Sequence, residues 1–436
     1  MSAPGIRAVH LARELARGIP DAAVELAVPD ETDIEVPDVA VRAYPRWTGP
    51  MRIVQGAETV VTPGLPPTAV PGLGDTRLVV DLFTFFLVEH LAWTVRMRRP
   101  PQRWAAAAVD ARYYNYQVAA ADLVLCSNER QRDLWIGTML AAGAVTPDEV
   151  RADPHLARRI AVVPFGARPE PPIHDGRMRV KGVHPGVAHN DLLVVWNGGI
   201  LNWYDPLSLL RAWERVVAAV PNARLWFMGV RYPYRGFSEG DMLDRAVALA
   251  EQLNLRERSV FFNFGWLDYE EAGQLMLEAD LAVSTYFDSL ETRLSYRTRL
   301  TDCVWAGLPF VCTAGDVLGD EAAARGMAAT VPAGDVDALT ATLVHLLQDA
   351  GARTRLRAAL EAHRAEYSWR QAAAPLVDYC RRPPAGPPRR GGAPLDLARN
   401  AATYIAARGV QQLLQPERWF RRTVDEPGRT VTPSQP

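Results

Sequence analysis

The sequence predicts an α/β protein made of two doubly wound, Rossmann-like domains facing each other across a cleft. Three observations carry that prediction. The chain has 436 residues, roughly twice the usual domain length. Short apolar runs alternate with helical patterns in both halves, which implies parallel sheets. One stretch between the halves, residues 167–190, is rich in Pro, Gly and His and lacks apolar periodicity, as a linker does.

Taken in order, residues 1–166 give RAVHLARELARG as a helix, then VELAVP, RIVQG and TRLVVD as strands. ADLVLCSNERQRDLW reads as a strand running into a helix capped by Ser127 and Asn128, and IAVVPFG leads to the linker. Residues 191–380 repeat a strand–glycine–helix order. DLLVVWNGG ends in Gly198 and Gly199, and DPLSLLRAWERVVAAVP follows with Asp205 at the N-cap and Pro206 in the first turn. RLWFMGV, SVFFNFGW and LAVSTYF continue the pattern, and Ser368–Trp369 opens a further helix to about Cys380. In residues 381–436, PPAGPPRRGG reads as a flexible connector. LARNAATYIAARGVQQLL then reads as an amphipathic helix, with Leu397, Ala401, Tyr404 or Ile405, and Arg408 on one stripe. Docking on the body is the preferred reading of that helix; the second lays it on an anionic membrane through its arginines and Trp419.

Composition excludes several classes. A net charge of −2 with evenly mixed signs leaves no basic face for nucleic acid. Lys181 is the sole lysine among 48 basic residues, so any anion clamp must use arginine and backbone N–H groups. Cys126, Cys303, Cys312 and Cys380 lack metal-type spacing and read as reduced structural thiols. The eight histidines form no HExxH or related pattern, so no metal site or cofactor is expected. The run LFTFFLVEHLAW from Leu82 is short and broken by Glu89 and His90, too little to span a bilayer, and no signal peptide opens the chain. A cytoplasmic protein is expected, with the inner membrane face as the alternative if the last helix binds lipid.

The most informative segment is DSLETRLSYRTRLTDCVWAGLPFVCTAGD, residues 288–316. Leu294, Leu300, Val304 and Leu308 lie near helical spacing, and Phe310 and Val311 follow as a buried strand. Arg293, Arg297 and Arg299 lie in or beside the first helical turns, where the backbone dipole disfavours cations. A bound phosphate or diphosphate resolves that conflict, because guanidinium forks and exposed N–H groups suit it. The plainer reading is a surface pair of Arg299 with Asp302 at i,i+3. Asp81, at the carboxyl edge of LVVD, stands where open α/β sheets place ligands. It is a candidate general base, or else an N-cap.

The order of these segments resembles the GT-B glycosyltransferases, and family 4 most closely. In the second half, WNGGILNWYDPLSLLRAWERVVAAVPNARLWFMGV, VFFNFGWLDYEEAGQLMLEADLAVSTY, TDCVWAGLPFVCTAGD and VPAGDVDALTATLVHLL look like the donor domain. In the first half, PGIRAVHLARELARG, TRLVVDL, ADLVLCSNERQRDLW and VVPFGA fit in the same order. The resemblance covers about residues 3–380. It implies a nucleotide-sugar donor held by the C-terminal domain and an acceptor held by the N-terminal one. Transfer in the cleft is commonly retaining and metal-free.

Three departures follow from the same resemblance. The family's paired donor-binding glutamates fall on Leu294 and Asp302, so Glu291 is the substitute for the first, and Asp302 keeps the ribose-binding role. The family's diphosphate-binding arginine and lysine align with Gly199 and Tyr204. Arg297 and Arg299 are therefore assigned the diphosphate, with Asn197, Gly198, Gly199, Trp203 and Thr298 completing the donor site. The chain also opens directly at the first loop, so the first central strand is expected to be missing. The implied activity is transfer of a sugar from a nucleotide-diphosphate sugar to an acceptor hydroxyl on a glycan, a lipid-linked glycan or a small molecule, with Asp81 and Glu291 as catalytic candidates. The alternatives are a non-catalytic nucleotide-sugar-binding protein and a nucleotide-sugar hydrolase or epimerase.

Overall fold

A computed structural model describes residues 3–29, 34–45, 54–84, 86–94, 100–231, 241–383 and 394–414. In the N-terminal half, β1 (Glu25–Pro29) and β2 (Ala40–Tyr44) form a two-stranded parallel sheet. β3 (Thr59–Thr62), β4 (Arg77–Asp81), β5 (Leu123–Cys126) and β6 (Ile160–Val162) form a four-stranded parallel sheet in chain order. Of the expected strand RIVQG, Arg52 and Ile53 lie outside the described residues, and Val54–Gly56 form a turn.

The C-terminal half contains β7 (Leu192–Trp196), β8 (Ala223–Phe227), β9 (Val260–Phe262), β10 (Leu281–Ser284), β11 (Phe310–Thr313) and β12 (Ala328–Val331). They pair in parallel in the order β12-β11-β10-β7-β8-β9. Helices cover both faces, so the strands are near-continuous apolar runs, and β10 and β11 are buried throughout. The strand order reverses between β7 and β10. A crevice must open at the carboxyl ends of those two strands, because the helices following them leave on opposite faces.

Local chemistry places the helices as the sequence predicts. Asp205 accepts from Ser208 N at 3.0 Å with Pro206 in the first turn of the helix Pro206–Ala219, and Asn128 accepts from Gln131 N at 2.9 Å to start Glu129–Ala141. One boundary is corrected. The helix Trp369–Arg381, assigned from sequence to the C-terminal domain, buries Trp369, Ala373, Leu376 and Val377 in a core with Leu11, Val79 and Leu125 of the N-terminal half. The chain crosses between halves twice at one place: Ala167 N donates to Tyr367 O at 2.6 Å, and a Cβ at Gly166 would lie 2.6 Å from the Trp369 ring.

The C-terminal helix, Pro394–Leu414, packs on the helix Pro100–Ala120. Leu397 and Ala401 join the N-terminal core, and Tyr404 meets Tyr113 at 5.5 Å between ring centroids. Ile405 is exposed and lies off that stripe. Trp419 and the ERWFRR segment lie outside the described residues. Among the described residues, no helix is long and apolar enough to cross a membrane.

Candidate active site

The crevice between β7 and β10 leads into a cavity of about 540 Å3 walled by both halves of the chain. Asn197, Gly198, Gly199, Trp203, Glu291, Arg297, Thr298, Arg299 and Asp302 all line it. Asp81 does not line the cavity, and its role is corrected. Both of its oxygens accept from Arg7, at 2.7 Å from Nε and 2.9 Å from Nη2, and Arg7 is 1% exposed and also donates to Pro164 O. A carboxylate held bidentately by a buried arginine ties the first helix to β4 and is not free to take an acceptor proton.

The sequence-assigned clamp divides in two. Arg297 donates from Nη1 to Glu291 Oε1 at 2.8 Å and from Nη2 to Glu291 Oε2 at 2.7 Å, both side chains 4% exposed. Arg297 also lies 4.1 Å from the Tyr286 ring centroid. Arg297 and Glu291 therefore neutralise each other. This corrects the expectation that the first holds a diphosphate while the second is separately free for a sugar.

Arg299 is different. It has no carboxylate partner among the described residues. Its Nη2 donates to Gly199 O at 3.1 Å, its guanidinium lies 4.0 Å from the Tyr204 ring centroid, and its Nη1 is buried without a hydrogen-bond partner. Gly198 has φ of 103°, and a Cβ there would meet Arg299 Nη2 at 3.4 Å. Glycine at 198 therefore gives a left-handed turn and a close approach for the guanidinium together. Asn197 Nδ2 anchors the same helix start by donating to Arg299 O at 2.8 Å, which leaves its buried Oδ1 unpartnered. Tyr204, aligned with the family's lysine, contributes a ring face for Arg299 to stack on.

Asp302 does not pair with Arg299. It accepts from Arg168 Nε at 3.1 Å, and Arg168 also donates to Tyr269 O and stacks 3.6 Å from that ring's centroid. Burial pushes the Asp302 carboxyl up, and Arg168 opposes the shift. Trp203 is 8% exposed and packs 5.9 Å from Tyr204, forming the adjoining wall.

Sequence reasoning missed three groups. Arg168 follows the FGA exit directly and was absorbed into the linker. Glu89, noted only as a break in an apolar run, lines the cavity from the N-terminal half. Burial and the nearby Glu291 push its carboxyl up to about 7, against the pull of Arg297. Leu294, read as a lost glutamate, is 6% exposed within the N-terminal core. Its carbonyl accepts from Asn128 Nδ2 and Gln131 Nε2, each at 3.0 Å. Arg130 adds bonds to Arg293 O at 2.9 Å and Gly315 O at 2.6 Å, and an ion pair with Asp320 at 3.1 Å. Asn128 thus caps a helix whose start is bonded to the opposite half, and Ser127 Oγ accepts from Asn128 Nδ2 at 3.2 Å.

Residues 192–349 match the family described as glycosyl transferases group 1. No curated protein matches the chain in sequence. In structure the chain is similar to WaaG, a glycosyltransferase involved in lipopolysaccharide biosynthesis, at 16% identity and a TM-score of 0.56, covering 85% of this chain and 93% of that one. It is also similar to HepE of Anabaena in complex with UDP and glucose, at 16% identity and a TM-score of 0.58, covering 85% and 95%. The chain is similar as well to trehalose-6-phosphate from E. coli bound with UDP-2-fluoro glucose, at 12% identity and a TM-score of 0.58, covering 86% and 96%. All share the GT-B arrangement of two Rossmann-like domains.

Proposed function

We propose that this chain, which has the GT-B fold and matches glycosyl transferases group 1 over residues 192–349, is a glycosyltransferase that moves a sugar from a nucleoside-diphosphate sugar to an acceptor hydroxyl in the cleft, with retention at the anomeric carbon and without a metal ion. The single observation that carries the donor assignment is Arg299, a cation unpaired with any carboxylate among the described residues and set against the Gly198–Gly199 turn. As the bond to the diphosphate breaks, negative charge builds on the leaving oxygens. A preorganised guanidinium and backbone N–H groups at that point stabilise the charge without reorganising. HepE of Anabaena is solved with UDP-glucose, which supports a nucleotide sugar as donor.

The other side chains take supporting roles in this reading. Asp302, steadied by Arg168, accepts from ribose hydroxyls. The Glu291–Arg297 pair faces the transferred sugar as one dipolar unit, with Glu291 nearest the developing positive charge. Retention and metal independence rest on the resemblance to family 4.

The test is a panel of nucleotide sugars and nucleoside diphosphates read by thermal shift, followed by transfer assays with and without EDTA and NMR of the product's anomeric proton. A selective rise in unfolding temperature with one nucleoside diphosphate and its sugar is expected. No shift with any member would overturn the donor assignment. Donor hydrolysis without transfer to any acceptor would favour a nucleotide-sugar hydrolase.

A further inference from the structure

The N-terminal wall of the cavity is the side that faces an acceptor, and its chemistry is unlike the donor side. Ile6, Phe83 and Phe165 make it apolar, with the two phenylalanine rings 6.1 Å apart. Gln131 also lines it, but its amide is used at both ends: Oε1 accepts from Ser127 N at 3.0 Å, and Nε2 donates to Leu294 O. Two polar side chains there are left uncommitted. Thr84 Oγ1 is buried without a hydrogen-bond partner, and Glu89 lines the cavity from the helix Phe86–Thr94, which packs on the segment Leu290–Leu294.

Resting on the glycosyl-transfer reading above, we infer that this wall takes an uncharged acceptor carrying its hydroxyl on an apolar frame, with Glu89 and Thr84 receiving that hydroxyl and Glu89 rejecting acidic acceptors. An apolar wall gains by covering apolar surface. A buried hydroxyl without a partner loses the hydrogen bonds it had in water, so a ligand that supplies one is favoured. A carboxylate on the same wall repels an anion. Tyr114 also faces Glu89, and burial keeps its hydroxyl neutral; the other three groups that face Glu89 do not cancel its charge. Glu291 is an anion, Arg297 is held bidentately by Glu291, and His90 is paired with Asp110 at 3.2 Å. Since the Glu89 carboxyl is pushed up to about 7, it ionises between pH 6 and pH 8, and rejection of an acid strengthens across that interval.

The experiment uses a matched pair of probes, 2-(4-hydroxyphenyl)ethanol and 4-hydroxyphenylacetate, bound to the full chain with saturating UDP and read by ligand-observed NMR. The neutral probe is expected to bind at least about tenfold more tightly than the acid at pH 8, and the ratio narrows towards pH 6. Glu89→Gln removes the discrimination and its pH dependence while UDP affinity stays unchanged. Thr84→Val, which breaks no internal hydrogen bond, weakens the neutral probe roughly two- to tenfold. Equal binding of the two probes, discrimination that survives in Glu89→Gln, or binding of neither probe to a protein that binds UDP would each overturn the inference. Failure of the unaltered protein to bind any nucleoside diphosphate would instead overturn the reading on which it rests.

Discussion

Replacing Arg299 with alanine separates a ligand-binding arginine from a structural one. Among the described residues the Arg299 side chain makes one hydrogen bond, to Gly199 O, and two ring contacts, with Tyr204 and Trp196. Its loss therefore strands no buried anion and should cost about 1 kcal/mol of stability. If its open Nη1 side meets a diphosphate, the variant loses a hydrogen bond between charged partners, about 1.5–3 kcal/mol, or roughly 10- to 150-fold in affinity. A nucleoside lacking phosphates should bind within about twofold of the unaltered protein. Arg297→Ala should do the reverse, because it leaves Glu291 buried and unpaired, at a cost of about 3–5 kcal/mol of stability. Titration calorimetry with a nucleoside diphosphate and its nucleoside, alongside denaturant unfolding, reads both. Equal weakening of the two ligands by Arg299→Ala, or loss of diphosphate affinity in Arg297→Ala without loss of stability, would refute the division of roles.

Three further outcomes follow. Asp81→Asn weakens the buried pair with Arg7 and lowers the unfolding temperature, while transfer per folded molecule stays within a few-fold; a thousandfold loss of kcat in a folded protein would restore Asp81 as a base. Leu294→Glu, which returns the family's residue, puts a carboxylate into the N-terminal core and should destabilise by at least about 3 kcal/mol; unchanged denaturant midpoints would show that the side chain leaves that core at little cost. Asp316 caps the helix Val317–Ala324 through one oxygen, while the other is buried without a partner, and burial pushes its carboxyl up to about 6. The native state then holds a proton that the unfolded state has released. The contribution is complete below about pH 4 and declines as pH rises towards 6, by an amount on the order of 3 kcal/mol. Asp316→Asn keeps the cap and should flatten that decline in unfolding experiments from pH 3.5 to 7.

What the sequence made legible was local. Short apolar runs marked β4 to β11, but not β2, β3 or β12. Short-range chemistry gave the cap at Asp205 and the glycine turn at 198–199, because their partners lie within a few residues. The site's membership was also largely readable, since the donor residues cluster at two loops of one sheet. Pairing was not. Arg7 finds Asp81 across 74 positions, and Arg168 finds Asp302 across 134, so no spacing rule on either segment points to the other. The helix Trp369–Arg381 shows the same limit: its apolar face was visible, but a stripe does not say which core it enters. Leu294 was legible as an apolar helical position and as the absence of a glutamate, but not as a core residue of the other half, because the pocket that receives it is built from residues far along the chain.

That leucine ties the two halves of the chain to each other. Withdrawing one buried leucine would cost about 2 kcal/mol, a bias of roughly thirtyfold towards keeping the contact. The hydrogen bonds from Asn128, Gln131 and Arg130 add to that bias. The stretch carrying Glu291 is thus anchored to the N-terminal half, while Arg299 begins a helix of the C-terminal sheet. A motion that parts the halves would have to bend the few residues between them or withdraw Leu294 from the core it enters.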